Sequence, residues 1–546
     1  MREIAWHETD VLVIGGSYAG LWAALAAGAA GARVLVADKA VSPNGGCARF
    51  AAGDILCLLP EDGLDAWVDA LSELGCGLAD REWLRRHLPT ARALIEEQAA
   101  LGVPFQRDEA GNLVRRVGRG GLRTATVDMP KALEALHRAA AAKGVGFLSR
   151  TPMLELVETG GRVSGAIGLH LRDGNRVAVR AKCVILACGG CGFRGRYFGM
   201  GTATGEGLAM AARRGAALES MEFANKMQTT HRDYDLCGTN RLTSTGGVFR
   251  NAAGEAFMRR YDGTRRDAAP LSVTARAFQE EELAGRGPIV LDLSGIPLEE
   301  RRRQRALMPH LGALLDSLEG FYDVPQPWSV SFTGSVGASP AGLRVDEEQR
   351  TSLPGLWAAG DAAGRTALLG AQVGVGGAGL FYALVSGKQA GMSAAQVCGE
   401  AAVIPADRWK REAAGQMDAA PTKSAGDGRT QRELRALQAA LFPVETCFIK
   451  SSARLKRALC QAEEAETALG LYREADVHRE LERRQAQGMA LLARIFLTAS
   501  LYRAESRGGH LREDYPEPDP ALEGKRTIVT LKKDQAGRFL VRPTFC

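Results

Sequence analysis

Near the start of the chain, several glycines are followed by one acidic residue, at the spacing found in ligand-binding turns. Residues 10–39, DVLVIGGSYAGLWAALAAGAAGARVLVADK, read as a buried strand, a glycine turn, a small-residue helix and a second strand. Gly15 permits the tight turn, and Gly20 lets the helix pack closely on the sheet. Asp38 ends the second strand, where it can accept hydrogen bonds from ribose hydroxyls. Because the first turn of a helix also attracts phosphate, the segment predicts a dinucleotide site, although Ser17 replaces the middle glycine of G-x-G-x-x-G.

A transmembrane helix is the main alternative for this segment, because residues 11–32 carry no charge. The apolar character comes from alanine rather than leucine or isoleucine, and glycines interrupt it, which disfavours a membrane span. No cationic stretch with a cleavage site precedes it, so a signal peptide is not expected. We therefore expect no membrane span in this chain.

Composition is typical of a soluble globular enzyme with several domains. The chain has 546 residues, of which 46% are apolar and 24% charged, and its formal charge of +6 is too small to indicate nucleic-acid binding. The 11 cysteines are scattered apart from Cys188 and Cys191, and no C-x2-C-x2-C run occurs. We expect no iron–sulfur cluster or other metal in this chain, and a reducing cytoplasmic location.

The pattern along the chain divides it into regions. Strand and helix signals alternate up to about residue 215, and residues 216–335 then become mixed and irregular. The α/β pattern resumes at 343–364, followed by a small-residue helix to about residue 400. Residues 404–431 look like a linker, residues 432–506 are helical in pattern, and a polar tail ends the chain.

Five sequence strings occur in the order that they have in a known family. They are VLVIGGSYAGLWAA, ATGEGLAMAARRGAALESMEF at 203–223, GGVFRNAAGEAFMRRYD at 246–262, TSLPGLWAAGDAAG at 351–364 and ESRGGHLREDYPE at 505–517. With them the chain resembles the flavoprotein subunits of fumarate reductase, succinate dehydrogenase and adenylylsulfate reductase, and their soluble relative L-aspartate oxidase. The resemblance covers nearly the whole chain and favours the adenylylsulfate reductase branch.

The resemblance implies an α/β fold, in which a Rossmann-like FAD-binding domain is interrupted by an α+β capping domain and followed by a helical domain. The expected boundaries are 1–215 and 340–402 for the FAD-binding domain, 216–339 for the capping domain, 403–431 for a linker, 432–515 for the helical domain and 516–546 for the tail.

FAD, rather than NAD, is the dinucleotide that the resemblance implies. Gly53 is expected in the loop beside the isoalloxazine, Glu206 stands where the family has aspartate, and Asp361 is expected near the ribityl chain. The residues expected to contact the cofactor are Gly15, Gly16, Ser17, Ala19, Gly20, Asp38, Lys39, Cys47, Ala48, Gly53, Asp54, Glu206, Asp361 and Gly379. Membrane-bound members join FAD covalently to a histidine whose position falls on Cys47, and we expect non-covalent FAD. Cys188 and Cys191 occupy a turn near the flavin, where small-residue packing is favoured over a redox disulfide.

The dicarboxylate clamp of the succinate and fumarate enzymes is missing. Its F-H-P-T histidine falls on Met227, its proton-shuttling arginine on Leu271 and its clamping arginine near Val373, and the histidine before the last strand is absent. We therefore expect a different small substrate, anionic or containing sulfur. The candidates for substrate contact are His231, Thr239, Arg241 and Arg276, although a core histidine and surface ion pairs are the alternatives for His231 and the two arginines.

Three functional hypotheses follow. The first is a flavoprotein subunit that carries out hydride chemistry and exchanges electrons with a separate iron–sulfur protein of the ferredoxin type. The second is a self-contained oxidase or dehydrogenase, and the third is a flavin- or ligand-binding protein without catalysis. The sequence leaves the substrate, the electron acceptor and the oligomeric state open.

Overall fold

A seven-stranded sheet lies at the centre of the molecule. The computed structural model describes residues 4–117, 121–195, 199–224, 227–233, 239–269, 271–307, 320–332, 339–400, 404–416, 428–535 and 537–546. The strands, from one edge of the sheet to the other, are Gly146–Leu148, Val34–Ala37, Ile4–Ile14, Arg176–Leu186, Arg162–Leu169 and Met153–Thr159, and Leu356–Ala358 pairs with the end of Arg176–Leu186. The last two strands of the row, Arg162–Leu169 and Met153–Thr159, are antiparallel to their neighbours, and the others are parallel. Because a parallel sheet is covered on both faces, its strands are continuous apolar runs.

Two helices packed against each other cross the sheet, Tyr18–Ala29 and Ala378–Glu400. Their contact requires small residues, because a Cβ added to Gly387 would lie 2.8 Å from the carbonyl oxygen of Ala19, and one added to Gly391 would lie 2.2 Å from that of Ala23. The small residues at this contact therefore allow the close approach of these two helices.

Further elements belong to the region around the central sheet. Its other helices are Leu64–Leu74, Arg81–His87, Ala91–Ala100, Met129–Ala142, Glu206–Arg213 and Thr366–Leu369. A three-stranded sheet contains Asp54–Leu56, Arg123–Thr126 and Arg115–Val117, in that order. Short 3₁₀ turns lie at Cys47–Phe50, Pro60–Asp62, Leu88–Thr90, Met200–Thr202, Met221–Phe223 and Gly360–Ala362.

The capping region has a hydrophobic core of its own. Its antiparallel sheet has the order Met227–His231, Gln326–Phe332, Val290–Asp292 and Val248–Arg250. Its helices are Thr239–Ser244, Leu271–Leu283 and Leu298–Leu307, with 3₁₀ turns at Phe257–Arg260 and Arg266–Ala268. Phe249, Phe278 and Trp328 lie in a buried cluster separate from the main core. A separate core is what a domain inserted into another domain needs.

The C-terminal region is helical and ends in a hairpin. Its helices are Ala406–Gln416, Arg429–Leu441, Val444–Cys447, Ser452–Gly470 and Val477–Tyr502, its short parallel strands are Ile449–Lys450 and Leu511–Arg512, and a 3₁₀ turn lies at Pro520–Leu522. Within the segment expected as a tail, strands Thr527–Lys533 and Phe539–Phe545 form an antiparallel hairpin. The first of them pairs with Leu218–Glu219, which in turn pairs with Gly342–Leu343. The end of the chain is therefore tied to the strands that flank the capping region.

A buried charge network joins the helical region to the rest of the molecule. Arg503 donates through Nε to Glu222 Oε1 and through Nη1 to Glu505 Oε1, both at 2.6 Å. Lys450 Nζ donates to His510 Nδ1 at 2.9 Å, and all five side chains are buried. Burial lowers the pKa of Lys450 to about 7. Glu505 and His510 of the string ESRGGHLREDYPE thus belong to a buried network that joins the helical region to Glu222.

Candidate active site

A cavity of about 1160 Å³ opens at the carboxyl ends of the central strands. Such ends are where α/β sheets bind ligands. Ile14 and Ala37, the last residues of two strands, line it, and Ser244, Thr245 and Ala268 of the capping region line its other side. Among the residues expected to contact the cofactor, those that line the cavity are Gly15, Ser17, Ala19, Asp38, Lys39, Cys47, Ala48, Gly53, Asp54, Glu206, Asp361 and Gly379.

Gly16 and Gly20 are the other two residues expected to contact the cofactor. They do not line the cavity but belong to the turn beside it. A Cβ on Gly20 would lie 1.9 Å from the carbonyl oxygen of Gly15, and a Cβ on Gly15, whose φ is +110°, would lie 2.4 Å from the carbonyl oxygen of Ala187. Gly16 N–H donates to Asp38 Oδ2 at 2.6 Å. The turn therefore tolerates only glycine at positions 15 and 20, and it fixes the acid that follows the second strand.

Asp38 is buried and its two carboxylate oxygens each accept one backbone hydrogen bond, from Gly16 and from Ala40, at 2.6 Å. A carboxylate has about four acceptor positions, so it retains capacity for ribose hydroxyls. These two hydrogen bonds fix the orientation of the Asp38 side chain, which lines the cavity.

Ser17 precedes the first turn of helix Tyr18–Ala29 and faces the cavity. Its Oγ is buried and has no hydrogen-bond partner among the described residues. Buried hydroxyls without a partner are uncommon, and a helix N-terminus attracts phosphate. A pyrophosphate oxygen would supply the missing acceptor, so the replacement of glycine by serine at this position fits the expected ligand.

Lys39 and Glu206 form an ion pair at 3.1 Å on the cavity wall. Thr204 Oγ1 and Gln485 Nε2 both donate to Glu206, each at 2.7 Å. Burial by itself would raise the pKa of Glu206, but the Lys39 ammonium and the Thr204 hydroxyl lower it below its ordinary value. Sequence reasoning missed Thr204 and Gln485. Gln485 comes from a helix of the C-terminal region, and no local signal connects it with this site.

The thiols near the site are not joined in disulfides within the described part of the chain. Cys47 Sγ lies 3.6 Å from the carbonyl oxygen of Gly199. A Cβ on Gly207 would lie 2.1 Å from Cys188 Sγ, so that thiol occupies the space that the glycine leaves. Burial raises the pKa of both Cys188 and Cys191 to about 12, which keeps them protonated. These observations favour packing over disulfide chemistry.

Arg365 was missed by sequence reasoning, although it lines the cavity beside Asp361. The side chain is 1% exposed, and its Nη2 lies 2.8 Å from Asp361 Oδ1. Its Nε donates to the carbonyl oxygen of Ser339 at 3.0 Å. An arginine in a run of small residues gives no sequence signal for burial, because arginines are mostly exposed.

The candidates for substrate contact are placed differently. His231 is 3% exposed and lies in the capping core, where its ring centroid is 5.8 Å from that of Trp328 and its Nε2 lies 3.3 Å from Gln326 Oε1. Arg276 is 67% exposed and pairs with Glu280 at 2.9 Å. Neither is among the described residues that line the cavity. Thr239 and Arg241 belong to helix Thr239–Ser244, but their side chains lie outside the described part of the structure.

Comparison with known families agrees with this geometry. A model of the FAD binding domain matches residues 10–386, and a model of the fumarate reductase flavoprotein C-terminal region matches residues 473–543. The chain belongs to the fumarate reductase and succinate dehydrogenase flavoprotein family. It is an FAD-dependent oxidoreductase, and the resemblance to this family, the fold class and FAD as cofactor are thereby confirmed, whereas the preference for the adenylylsulfate reductase branch stays a prediction.

Individual relatives are similar to this chain along nearly its full length. The chain is 31% identical to an L-aspartate oxidase of Caulobacter vibrioides, covering 96% of the chain and 97% of the relative. It is 29% identical to a subunit of the fumarate reductase (CoM/CoB) of Methanothermobacter marburgensis, covering 96% and 98%. A structure of E. coli quinol fumarate reductase superposes with a TM-score of 0.87 at 20% identity, covering 99% of this chain and 97% of the other, which shows the shared fold.

The family's dicarboxylate clamp has no counterpart among the described residues at the positions expected for it. Val373 lies in a small apolar cluster with Leu78, Phe223 and Ala371, and it does not line the cavity. Met227 begins a strand and Leu271 begins a helix, and their side chains lie outside the described part of the structure. The position of the second histidine falls in or next to residues 333–338, which are also outside it.

Within the described ranges, no helix is both long and apolar enough to cross a membrane.

Proposed function

We propose that this flavoprotein is one component of a two-protein oxidoreductase. It would transfer a hydride between FAD and a small anionic or sulfur-containing metabolite, and exchange single electrons with a separate iron–sulfur protein of the ferredoxin type. The observation that carries the proposal is the shared cavity, where the cofactor residues meet Ser244, Thr245 and Ala268 of the capping region. A substrate enclosed between them lies against the cofactor and away from water, as hydride transfer requires.

The residues of this chain would divide the work of holding the cofactor. Ser17 and the first turn of its helix would bind the pyrophosphate, and Asp38 would bind ribose hydroxyls. The Lys39–Glu206 pair would close the wall beside them. FAD, when bound, supplies the hydride and single-electron chemistry, while the protein supplies position and charge. We propose non-covalent binding, because the reactive histidine of the membrane-bound relatives is replaced by Cys47.

Arginines support the proposal of an anionic substrate. Arg115 and Arg116 follow each other on a strand at the cavity wall, beside the exposed Val117. Arg115 is held by Asp62 and Glu61, and Arg116 Nη2 donates to Gln106 Oε1 at 3.3 Å. Charge-assisted hydrogen bonds are what a small anion needs. The two arginines therefore support a small anionic ligand.

Thr239 and Arg241 remain our proposals for contact with the substrate from the capping side. Their helix ends at Ser244, and Ser244 itself lines the cavity. His231 and Arg276 are not proposed further, because the first is held in the capping core and the second is paired at the surface.

A self-contained oxidase is the second candidate, favoured by the full-length similarity to an L-aspartate oxidase. The test uses the full chain, purified with FAD and photoreduced. The reduced protein is mixed with air-saturated buffer, and in an anaerobic parallel the oxidised protein is mixed with a chemically reduced bacterial two-cluster ferredoxin. We expect slow formation of peroxide and fast reduction of the flavin by the ferredoxin. Rapid, stoichiometric peroxide without electron transfer from the ferredoxin would overturn the two-component proposal and support the oxidase.

Two further measurements complete the test. Acid precipitation should release all the flavin into the supernatant, and flavin that stays with the protein would contradict non-covalent binding. A panel of small thiols, sulfite and dicarboxylates is then screened for reoxidation or reduction of the flavin. Turnover with succinate or fumarate at the rate of the family enzymes would contradict the substrate class. Binding without turnover of any compound would support a non-catalytic protein.

A further inference from the structure

We infer that Arg365 and the N-terminus of helix Ala378–Glu400 form a cationic corner of the cavity, which stabilises negative charge on the bound flavin ring and raises its reduction potential. The inference rests on FAD as the cofactor and not on the substrate or the electron partner proposed above. It assigns Arg365 as a positioning and electrostatic residue that neither the resemblance nor the fingerprint indicates.

The side chain of Arg365 is held rigidly but is not fully satisfied. Its Nε donates to the carbonyl oxygen of Ser339 at 3.0 Å, and its Nη2 lies in ion-pair contact with Asp361 at 2.8 Å. Its Nη1 is buried and has no hydrogen-bond partner among the described residues. The side chain is 1% exposed, and it lines the cavity.

A guanidinium in this position points to an acceptor in the cavity. Arginine keeps its charge in proteins, and removing an ion from water costs several kcal/mol unless charges and hydrogen bonds compensate. Asp361 supplies one partial compensation, and its side chain is itself 29% exposed. The remaining N–H groups of Arg365 therefore favour a ligand group that is electron-rich or anionic.

The helix strengthens the same corner. A Cβ added to Gly379 would lie 3.6 Å from Arg365 Nη1, which places the guanidinium beside the first turn of helix Ala378–Glu400. The first N–H groups of a helix have no acceptor within it, and its N-terminus carries about half a positive charge. Ala378 and Gly379 both line the cavity. Two positive groups from different elements thus face one volume.

This corner is distinct from the phosphate end of the cavity. Ser17 lies at the start of helix Tyr18–Ala29, and Asp38 accepts a hydrogen bond from Gly16 beside it, where the pyrophosphate and ribose are expected. Asp361 is the residue expected near the ribityl chain, which joins the phosphates to the isoalloxazine, and Gly379, also expected to contact the cofactor, lines the same cavity. The isoalloxazine is the part of FAD whose charge changes on reduction, so a fixed cation beside it binds reduced FAD more tightly than oxidised FAD.

The test measures the midpoint potential and the Kd of FAD for full-length variants, with photoreduction and a reference dye. Neither measurement involves substrate or partner, so the inference can fail while the proposed function stands, and the reverse also holds. We expect Arg365→Met to weaken binding of reduced FAD relative to oxidised FAD about tenfold, which lowers the potential by about 30 mV for a two-electron couple. Arg365→Lys should restore at least half of that shift.

Two variants serve as controls. Arg350→Met removes an exposed arginine that pairs with Asp346 outside the cavity, and it should leave the potential unchanged. Asp361→Asn removes the negative partner and should move the potential upward, opposite to Arg365→Met. This variant also decides the matter if Arg365→Met does not bind FAD. An Arg365→Met protein that binds FAD with the potential of the wild type, or an Asp361→Asn protein whose potential does not rise, would overturn the inference.

Discussion

Replacement of Gly20 by alanine tests whether the glycine turn sets the position of the cofactor site. The added Cβ would lie 1.9 Å from the carbonyl oxygen of Gly15, whereas such atoms normally approach no closer than 3.0 Å. The clashing oxygen is backbone, so the first turn of helix Tyr18–Ala29 and the turn at Gly15 must separate by about 1 Å in a close-packed interior. Such overpacking costs about 1–3 kcal/mol. If the cost appears at the helix N-terminus, the Kd for FAD rises roughly 10- to 100-fold.

Gly28→Ala is the matched control, because it makes the same change in the same helix. The nearest atom to its added Cβ is Val145 Cγ2, at 4.0 Å. Alanine is a better helix former than glycine, so this variant should gain up to about 1 kcal/mol and bind FAD normally. The assay is titration of apoprotein with FAD, followed by flavin fluorescence, beside urea unfolding of both variants. Equal FAD affinity and equal stability of the two variants would refute the steric argument.

Three further predictions concern stability and reactivity. Arg503→Met leaves two buried carboxylates without this partner and should lower the free energy of unfolding, measured in urea, by about 3–5 kcal/mol. Loss of the exposed ion pair in Arg276→Met should lower it by less than about 1 kcal/mol. Similar losses in the two variants would contradict the role given to the buried network. The folded-state pKa of Lys450 is about 7, below its ordinary 10.5, so the unfolded chain binds more protons between these values and stability should rise with pH there, by up to about 1.4 kcal/mol per pH unit. Lys450→Met should remove this slope, and an unchanged pH profile would argue against a depressed pKa. Iodoacetamide at pH 8, followed by mass spectrometry, should modify the exposed Cys460 and spare Cys191, which is fully buried and whose pKa burial raises to about 12; equal labelling would contradict the packing interpretation.

Elements built from neighbouring residues could be predicted from the sequence. The strand, turn and helix around Gly15 follow from the small size of the turn residues and from an apolar run, both of which are local properties. Residues 216–335 stand out in the sequence as a change in pattern, and the structure has a separate buried cluster within them. The segment expected as a tail contains a hairpin instead, because its strands are stabilised by pairing with Leu218–Glu219, far away in the chain.

The candidate site was predictable only in part, for the same reason. Asp38 follows a strand at a fixed distance from the glycines, so its place at the cavity follows from the chain itself. Whether a histidine is a ligand or a core residue depends on its surroundings, and Phe321, Gln326 and Trp328 enclose His231.

The sequence by itself therefore determined the cofactor class and the order of the strand and helix regions, and it predicts the loss of the dicarboxylate clamp. Only the tertiary structure decided which charged groups face the cofactor cavity. Gln485 reaches Glu206 across 279 positions of sequence, and Arg365 is buried beside a helix that starts at Ala378. The physical reason is the separation along the chain over which each effect acts. Backbone sterics and strand periodicity act between near neighbours in the sequence. Burial and hydrogen-bond partners instead depend on segments that meet only in the folded chain.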